Sequence, residues 1–351
     1  MERAGLPLDG LGAMFRQGMI SLDFIESAGQ SVFTPFGETT FAELSSETGI
    51  PLEVLSSMRE AVGGLPPRPD DRVAQSEMAL LPLVQFQDQL GFRHRAIEQG
   101  LRVYGDTMRR VAETEAEWFR SEILGPMYAK GMTDDQIGRF AAEISPRLSE
   151  VSAQALLGIY HAQQGHAWLA NIIHGIGQGL ESAGLHTAQQ TVPAMCFLDI
   201  TGYTLLTSEQ GDQVAADTAE RLRRIVERRA IEHGGRAVKW LGDGVMLWFP
   251  DPGSGVTAAL GMVADIERDL LLRAHAGLHA GRVVFQEGDF YGNTVNLAAR
   301  IGDFARPGEV LVSQDVVDLA GLGPSFAFKE VGPVELKGVA GSITLHAASA
   351  V

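Results

Sequence analysis

The sequence has 351 residues with a formal net charge of −16 at pH 7, and 45% of its residues are hydrophobic. This length favours two domains, and the acidic balance disfavours nucleic acid as a partner, because binding a polyanion requires basic surface. The single cysteine, Cys196, excludes a disulfide framework, and the N-terminus MERAGLPLDG lacks a signal-peptide pattern, so we expect a cytoplasmic protein.

The first half of the sequence carries helical patterns. Thr40 and Glu43 form a capping box that opens a helix, and Gly49 ends that helix before a second one that runs to about Ala61. This pair has the spacing of a helix-turn-helix unit. No basic recognition helix follows it, which favours a plain helical hairpin over a DNA-binding unit.

Longer helical patterns run from about Ser76 to Lys130 and from about Thr133, which opens a second capping box, to Leu180. The segment Val151–Leu180 contains no Asp, Glu, Lys or Arg, which raises the possibility of a membrane span. Its Gln, Asn and His side chains argue against a span and favour a helix buried against other helices, at a dimer contact. A peripheral membrane or lipid contact is the alternative.

Residues 181–193 are predicted to link a helical regulatory domain, 1–180, to a second domain, 194–351. The second domain shows the order strand, helix, hairpin, helix, strand. Its hairpin is predicted by two apolar runs, Arg236–Leu241 and Val245–Phe249, on either side of Gly-Asp-Gly. This order is the βαββαβ ferredoxin-like arrangement, so the predicted class is α+β, preceded by an all-α domain.

Two aspartates lie at strand ends of this arrangement. Asp199 ends the first strand and Asp243 lies at the tip of the hairpin, which is the neighbouring element in a ferredoxin-like sheet. The two carboxylates are therefore placed to share divalent cations, and Mg²⁺ or Mn²⁺ carrying phosphates suits a site with few protein oxygens. A turn cap at each position is the alternative. The turn that follows the first strand enters a helix and can present backbone N–H groups to a triphosphate; its residues are Thr201, Gly202, Tyr203 and Thr204.

The segment GNTVNLAAR predicts a helix that carries two polar side chains on one face. Asn296 and Arg300 have i, i+4 spacing, so an amide and a guanidinium lie side by side. Such a pair can orient a ribose and neutralise a phosphate. The alternative is that Asn293 caps the helix and Arg300 is simply solvated.

Four segments in this order, FLDITGYT, VKWLGDGVM, GDFYGNTVNLAAR and ELKGV, resemble the catalytic domain of class III nucleotidyl cyclases over about residues 192–347. The resemblance implies a metal site at Asp199, Ile200 and Asp243 that holds two Mg²⁺ or Mn²⁺ ions. It also implies that Asn296 positions the ribose and Arg300 stabilises the α-phosphate in the transition state. Lys337, in ELKGV, is similar to the lysine that contacts the triphosphate.

By the same resemblance, Lys239 and Asp289 select the purine. A lysine can only donate, which suits N1 of adenine, and an aspartate accepts, which suits the N6 amino group; guanine presents the inverse pattern. The expected substrate is therefore ATP rather than GTP. The expected reaction is attack of the ribose 3′-oxygen on the α-phosphorus, which gives 3′,5′-cyclic AMP and pyrophosphate.

In this family the site lies at a dimer interface, with the metal aspartates on one subunit and the purine pair, Asn, Arg and Lys on the other. One complete set per chain implies a head-to-tail homodimer with two sites. A non-catalytic nucleotide sensor with a degenerate helix-turn-helix is the alternative function.

The first half resembles the regulatory domain of soluble actinobacterial adenylate cyclases, some of which respond to pH. Histidine is the side chain that titrates near neutrality, and four of them lie in the helix and linker that lead to the second domain: His161, His166, His174 and His186. We expect regulation through this region, with a lipid or another apolar ligand as the alternative signal.

Overall fold

The computed structural model describes residues 36–185, 192–320 and 325–351. The chain divides into two compact units, Met1–Ile176 and Gly177–Val351, and each unit has a hydrophobic core of its own. None of the helices in the described residues is long and apolar enough to cross a membrane.

The first unit is helical, as predicted, with one short β-ribbon added. Strand β1 pairs with β2 in an antiparallel ribbon, which the sequence did not predict because β2 has only three residues and β1 does not alternate apolar and polar side chains. The elements in chain order are β1 (Phe36–Thr40), α1 (Phe41–Thr48), α2 (Leu52–Ala61), β2 (Arg72–Ala74), α3 (Gln75–Met78), α4 (Leu81–Gln89), α5 (His94–Trp118), a π-helical turn (Phe119–Leu124), α6 (Gly125–Ala129) and α7 (Asp134–Ser182).

Both predicted capping boxes are confirmed. The Glu43 N–H donates to Oγ1 of Thr40 over 3.2 Å, and the Thr40 N–H donates back to Oε2 of Glu43 over 2.8 Å. The Thr133 N–H donates to Oε1 of Gln136 over 3.0 Å, and the return bond measures 3.4 Å. These local bonds satisfy N–H groups that a helix start leaves without partners, so α1 and α7 begin where the sequence predicts.

The prediction that Val151–Leu180 is buried against other helices is wrong for the single chain. Trp168 is 62% exposed and Ile173 is 61% exposed, whereas the start of α7 packs into the core through Ile137 and Ala141. Helix α7 has 49 residues and is therefore about 74 Å long, which the shorter helices of the unit cannot cover. A dimer contact on this segment stays a prediction.

The second unit contains the predicted ferredoxin-like core within a seven-stranded sheet of order β10-β11-β9-β6-β3-β5-β4. The βαββαβ elements are β3 (Ala194–Thr201), α9 (Asp212–Glu232), β4 (Arg236–Leu241), β5 (Gly244–Phe249), α10 (Pro252–Leu270) and β6 (Arg273–Ala280), with α8 (Tyr203–Gln210) between β3 and α9. The chain continues through β7 (Val284–Gln286), β8 (Asp289–Tyr291), α11 (Asn293–Phe304), β9 (Val310–Ser313), α12 (Gln314–Ala320), β10 (Phe326–Glu335) and β11 (Ser342–Ala350).

Helices cover both faces of this sheet. Helices α9, α10 and α12 supply the core on one face, and α11 packs on the other. Helix α11 approaches very closely, because a Cβ atom added at Gly277 in β6 would lie 2.0 Å from the backbone nitrogen of Gly302. Because glycine has no Cβ atom, position 277 lets the helix lie directly on the strand. This contact fixes the distance of α11 from the sheet.

One predicted helix is divided in two. The charged pattern predicted a single helix from about Glu209 to His233, whereas the structure ends α8 at Gln210 and begins α9 at Asp212. Gly211 between them has a φ of +86°, a conformation outside the helical range that glycine adopts without strain.

His279 lies in a buried polar cluster at the end of β6 opposite to the end that neighbours Asp199. It is 8% exposed, and its Nδ1 lies 2.7 Å from Oγ of Ser313. Burial lowers the pKa of His279, and the carboxylate of Asp315, 3.6 Å from Nδ1, partly opposes that shift. The folded chain therefore holds this imidazole neutral at a pH where the unfolded chain already protonates it.

We expect this histidine to make the fold less stable in mild acid. Because the folded-state pKa lies below the ordinary value of about 6.5, stability falls as the pH drops below that value and levels off below the folded pKa. Gln in place of His279 removes the titration, so the stability difference between wild type and His279→Gln should shrink as the pH falls. Thermal unfolding followed from about pH 8 to about pH 5 measures this difference, and one that stays constant with pH would contradict the assignment.

Candidate active site

The two strand-end aspartates lie next to each other, as the sequence predicted. Asp199 is near the end of β3, and Asp243 lies in the turn between β4 and β5, the strand that pairs with β3. A Cβ atom added at Gly244 would lie 3.0 Å from Oδ1 of Asp199, so the hairpin turn packs directly against that carboxylate. The two acidic side chains therefore share one edge of the sheet.

The electrostatics of this edge are those of a site with excess negative charge. Burial raises the pKa of Asp199, and the charge of Asp243 raises it further. Asp303 acts in the same direction, whereas His275, whose Nε2 lies 4.0 Å from Oδ2 of Asp199, opposes the shift. Repulsion between carboxylates that share a site is relieved when a cation binds between them.

The oxygen atoms at this edge fit a hard cation that takes most of its ligands from phosphate and water rather than from the protein. In residues 36–185, 192–320 and 325–351, no group of three or more His, Cys, Asp or Glu side chains is placed to hold a metal ion. Asp199 and Asp243 supply two neighbouring carboxylates, and Ile200, whose hydrocarbon side chain has no ligand atom, can contribute only its backbone oxygen. Mg²⁺ and Mn²⁺ accept such sparse protein ligation when phosphate oxygens and water complete it.

The turn after β3 is held by backbone geometry and by one side chain. Gly202 has a φ of +89°, and its carbonyl accepts the N–H of Leu206 over 2.9 Å at the start of α8. The Tyr203 hydroxyl donates to the carbonyl of Ala215 over 2.9 Å, so it fastens α8 to α9. Thr201 is exposed, and the side chain of Thr204 lies outside the described part of the chain.

Lys239 and Asp289 form an ion pair. Lys239 Nζ donates to Oδ2 of Asp289, although the two residues are 50 positions apart in the sequence. The other carboxylate oxygen, Oδ1, accepts the N–H of Phe290 over 2.8 Å. Both side chains are partly accessible, with 42% of Lys239 and 21% of Asp289 exposed, so a ligand can reach them.

A β-bulge in β4 directs the Lys239 side chain toward Asp289. The register between β4 and β5 shifts between Ala237 and Lys239, so Lys239 faces Met246 across the strands. Met246 belongs to the core that contains Phe290 and α11, on the face where β8 lies. A bulge of this kind re-aims a side chain beside a functional site.

Helix α11 presents Asn296 and Arg300 on one exposed face, as their spacing predicts. The N-cap position belongs to Gly292 and not to Asn293, which is the first helical residue, so the capping alternative is wrong. Arg300 donates from Nη1 to Oδ2 of Asp303 over 2.8 Å. Lys337 is exposed in the turn that follows β10.

Two residues near the predicted site were missed in the sequence. His275 is the register partner of Asp199 in β6, and its Nδ1 is buried without a hydrogen-bond partner among the described residues. Asp303 connects Arg300 to the acidic edge through its charge. Strand register could have identified His275. Which residues on adjacent strands are neighbours can be stated only once the pairing of the strands is known.

Of the four histidines predicted to regulate the chain, the structure describes the side chains of two. His161 and His166 are exposed on α7, and the ring of His161 lies 5.7 Å from that of Tyr160. The side chain of His174 and the whole of His186 lie outside the described residues. Their regulatory role stays a prediction.

Comparisons with known proteins found a matching family and several relatives. Residues 186–348 match the family described as the adenylate and guanylate cyclase catalytic domain. The pH-sensitive adenylate cyclase MT1302 of Mycobacterium tuberculosis is 26% identical over 316 residues, which cover 86% of this chain and 76% of that protein. An uncharacterized protein of Mycobacterium bovis is 31% identical over 244 residues, which cover 68% of this chain and 60% of that protein.

Solved structures include the adenylyl cyclase CyaB from P. aeruginosa, which is 21% identical with a TM-score of 0.41 and is matched over 45% of this chain and 93% of that chain. The match to the catalytic-domain family covers the whole βαββαβ core and each strand and helix that carries a predicted site residue of the second unit. Residues 186–348 are therefore the part of the chain that matches the adenylate and guanylate cyclase catalytic domain family.

Proposed function

We propose that the chain is an adenylate cyclase that converts ATP to 3′,5′-cyclic AMP and pyrophosphate. The observation that carries this proposal is the ion pair of Lys239 and Asp289, which offers a donor beside an acceptor at one partly accessible place. The match to the cyclase family supports the reaction class, and a relative named adenylate cyclase supports the choice of nucleotide.

The pair can read adenine without losing its own contact. An ammonium group has three donors and a carboxylate has about four acceptor sites, so each side chain keeps capacity after the mutual bond forms. Lys239 donates to N1 of adenine and Asp289 accepts from the N6 amino group. Guanine would place a donor against the lysine and an acceptor against the carboxylate, and both partners would be left unsatisfied.

The acidic edge formed by Asp199 and Asp243, with the backbone of Ile200, would hold two divalent cations, Mg²⁺ or Mn²⁺. When bound, such ions supply charge that favours ionisation of the 3′-hydroxyl and neutralises the phosphates. The chain's own contribution is the pair of adjacent carboxylates whose mutual repulsion a cation relieves.

The remaining groups of the proposed site orient the sugar and phosphates. Asn296 holds the ribose so that its 3′-oxygen lies in line with the α-phosphorus, and Arg300 stabilises the charge that develops on the α-phosphate. Arg300 exchanges its bond to Asp303 for the phosphate. Lys337 and the backbone N–H groups of Thr201–Thr204 bind the triphosphate.

The proposed site is shared between two chains in a head-to-tail homodimer. One chain contributes Asp199 and Asp243, and the other contributes the purine pair, Asn296, Arg300 and Lys337. Exposed apolar side chains beside the purine pair support a covered surface there, since Phe285 is 58% exposed and Tyr291 is 50% exposed.

The alternative, a nucleotide sensor that binds DNA through α1 and α2, gains no support. Helix α2 carries two glutamates against one arginine, and that arginine is committed inside the unit. Arg59 donates from Nε to Glu77 over 2.6 Å and from Nη2 to the carbonyl of Arg72 over 2.6 Å. No free basic face remains on this helix for phosphates.

Substrate choice provides the direct test. With Mn²⁺, we expect cyclic AMP from ATP at a rate at least about a hundredfold above cyclic GMP from GTP, because guanine sets a donor against the lysine and an acceptor against the carboxylate. Lys239→Ala should lose about a hundredfold or more in kcat/KM for ATP. Lys329→Ala, an exposed lysine on β10, is the matched control and should retain wild-type activity. A folded, dimeric wild type that cyclises neither nucleotide would overturn the proposal.

Mixing two inactive variants tests the shared site. Asp199→Ala and Lys239→Ala should each be nearly inactive alone, and an equimolar mixture should recover about a quarter of wild-type activity. Half of randomly paired dimers are mixed, and each mixed dimer has one intact site of two. Cyclic AMP is measured after the chains exchange subunits. Folded chains that exchange without recovering activity would contradict a site built from two subunits.

We also propose that residues 1–180 regulate a catalytic domain at 194–351 through the linker 181–193, with pH as the signal. A chain that begins at Ala188 should then be faster than the full chain. In the full chain, replacing all four of His161, His166, His174 and His186 by Gln should flatten the pH–activity profile, because histidine is the side-chain type whose charge ordinarily changes in the physiological pH range. An unchanged profile would rule out these histidines and favour the lipid or apolar-ligand alternative.

A further inference from the structure

Arg236, at the start of β4, lies among three aromatic rings. Its guanidinium carbon is 5.5 Å from the ring centre of Trp248, 5.7 Å from that of Phe285 and 5.5 Å from that of Phe290. A cation within about 6 Å of an aromatic ring centre is attracted by the ring electrons, and arginine stacks on such rings especially well. Among the described residues, the guanidinium of Arg236 thus lies against aromatic rings and not against a carboxylate.

Two of these rings belong to the small ribbon formed by β7 and β8. The ribbon has three residues in each strand and forms a sheet separate from the seven-stranded one. A two-stranded ribbon of this size has little stability of its own, so side-chain packing must hold it in place. Phe290 stacks on Trp248 with ring centres 6.1 Å apart and planes at 1°, and Phe285 lies 5.1 Å from Phe290.

The ribbon also carries Asp289. Phe290 is the next residue, and its N–H donates to Oδ1 of Asp289 over 2.8 Å, so the position of the Phe290 ring constrains the direction of the Asp289 carboxylate. Strand β4 therefore contacts the ribbon at two points. Arg236 does so through the rings, and Lys239 does so through Asp289.

The bulge in β4 brings these two contacts to one face. Arg236 pairs with Trp248 in β5, and after the register shift Lys239 pairs with Met246, two residues before Trp248. Residues two apart on a strand point to the same face, so Arg236 and Lys239 both project toward the ribbon. Without the bulge, residues three apart would point to opposite faces.

We propose that Arg236 is a positioning residue for purine recognition. It holds β7 and β8 against the sheet through Trp248, Phe285 and Phe290, and it thereby sets the place of Asp289 opposite Lys239. This inference rests on the proposed function, because it gives Arg236 a part in the selection of ATP over GTP. Arg236 acts through Asp289 and not by contact with the base.

Three variants of the full chain separate this role from a general effect on charge or folding. Arg236→Met keeps a long apolar stem and removes the cation. Arg236→Lys keeps a cation on a flexible stem and serves as the conservative rescue. Arg224→Met is the matched control, since Arg224 is 69% exposed on α9 and pairs with Glu220 away from any ring.

In Arg236→Met we expect the KM for ATP to rise about tenfold with kcat changed less than about threefold, and the preference for ATP over GTP to fall by a similar factor. Arg236→Lys should recover at least about half of that loss on a logarithmic scale, and Arg224→Met should match wild type. A merely structural role would lower stability and the amount of active enzyme without changing KM or the nucleotide preference.

Hydrogen exchange provides a readout that does not depend on catalysis. Amides of residues 284–291 should exchange about tenfold faster in Arg236→Met than in wild type or Arg224→Met. Unchanged exchange in this segment overturns the inference, and so does faster exchange with an unchanged KM and preference. A wild-type chain that cyclises neither nucleotide overturns the proposed function instead, while the exchange data still decide whether Arg236 holds the ribbon.

Discussion

The ion pair between Lys239 and Asp289 joins two elements that have no backbone hydrogen bonds to each other. Lys239 lies on the outermost strand of the seven-stranded sheet, and Asp289 lies on a ribbon outside that sheet. The pair forms because the bulge in β4 turns the lysine toward the ribbon and because Phe290 seats the ribbon on Trp248. The proposed selection of the purine therefore depends on how a small ribbon is attached, and the proposed role of Arg236 depends on the same attachment.

The other half of the proposed site depends on repulsion. Asp243 and Asp303 lie close enough to Asp199 to raise its pKa, and Asp303 also bonds the guanidinium of Arg300. Packing maintains this arrangement against its electrostatic cost, since glycine at Gly244 admits the Asp199 carboxylate to the hairpin turn. The fold thus holds together a group of like charges that a bound cation, and not another side chain, is suited to neutralise.

Local signals in the sequence were reliable, and long-range ones were not. The capping boxes at Thr40 and Thr133 and the hairpin around Asp243 depend on residues a few positions apart, and each was predicted correctly. The family resemblance identified Lys239 and Asp289 as partners, but no periodicity could have done so, because a bulge breaks the alternation that would place the lysine.

Other differences arise because sequence patterns do not show which segments of the chain meet. The ribbon of β1 and β2 forms between segments more than 30 residues apart, each too short to show a strand pattern. The neighbourhood of His275 and Asp199 and the ring contacts of Arg236 likewise depend on tertiary pairing, which composition and spacing do not encode. The sequence did not predict that Val151–Leu180 is exposed in the single chain. An apolar pattern indicates that a helix face is suited to burial, but it does not indicate which chain covers that face.

That uncharged stretch of α7 has a consequence for how the protein responds to its surroundings. From Val151 to Leu180 the helix offers apolar, amide and imidazole groups, with no carboxylate, ammonium or guanidinium among them. A contact made through the apolar side chains of this stretch derives its strength from water release rather than from Coulomb attraction, so added salt has little screening effect on it, whereas cooling weakens it. We therefore expect such a contact to depend more on temperature than on ionic strength.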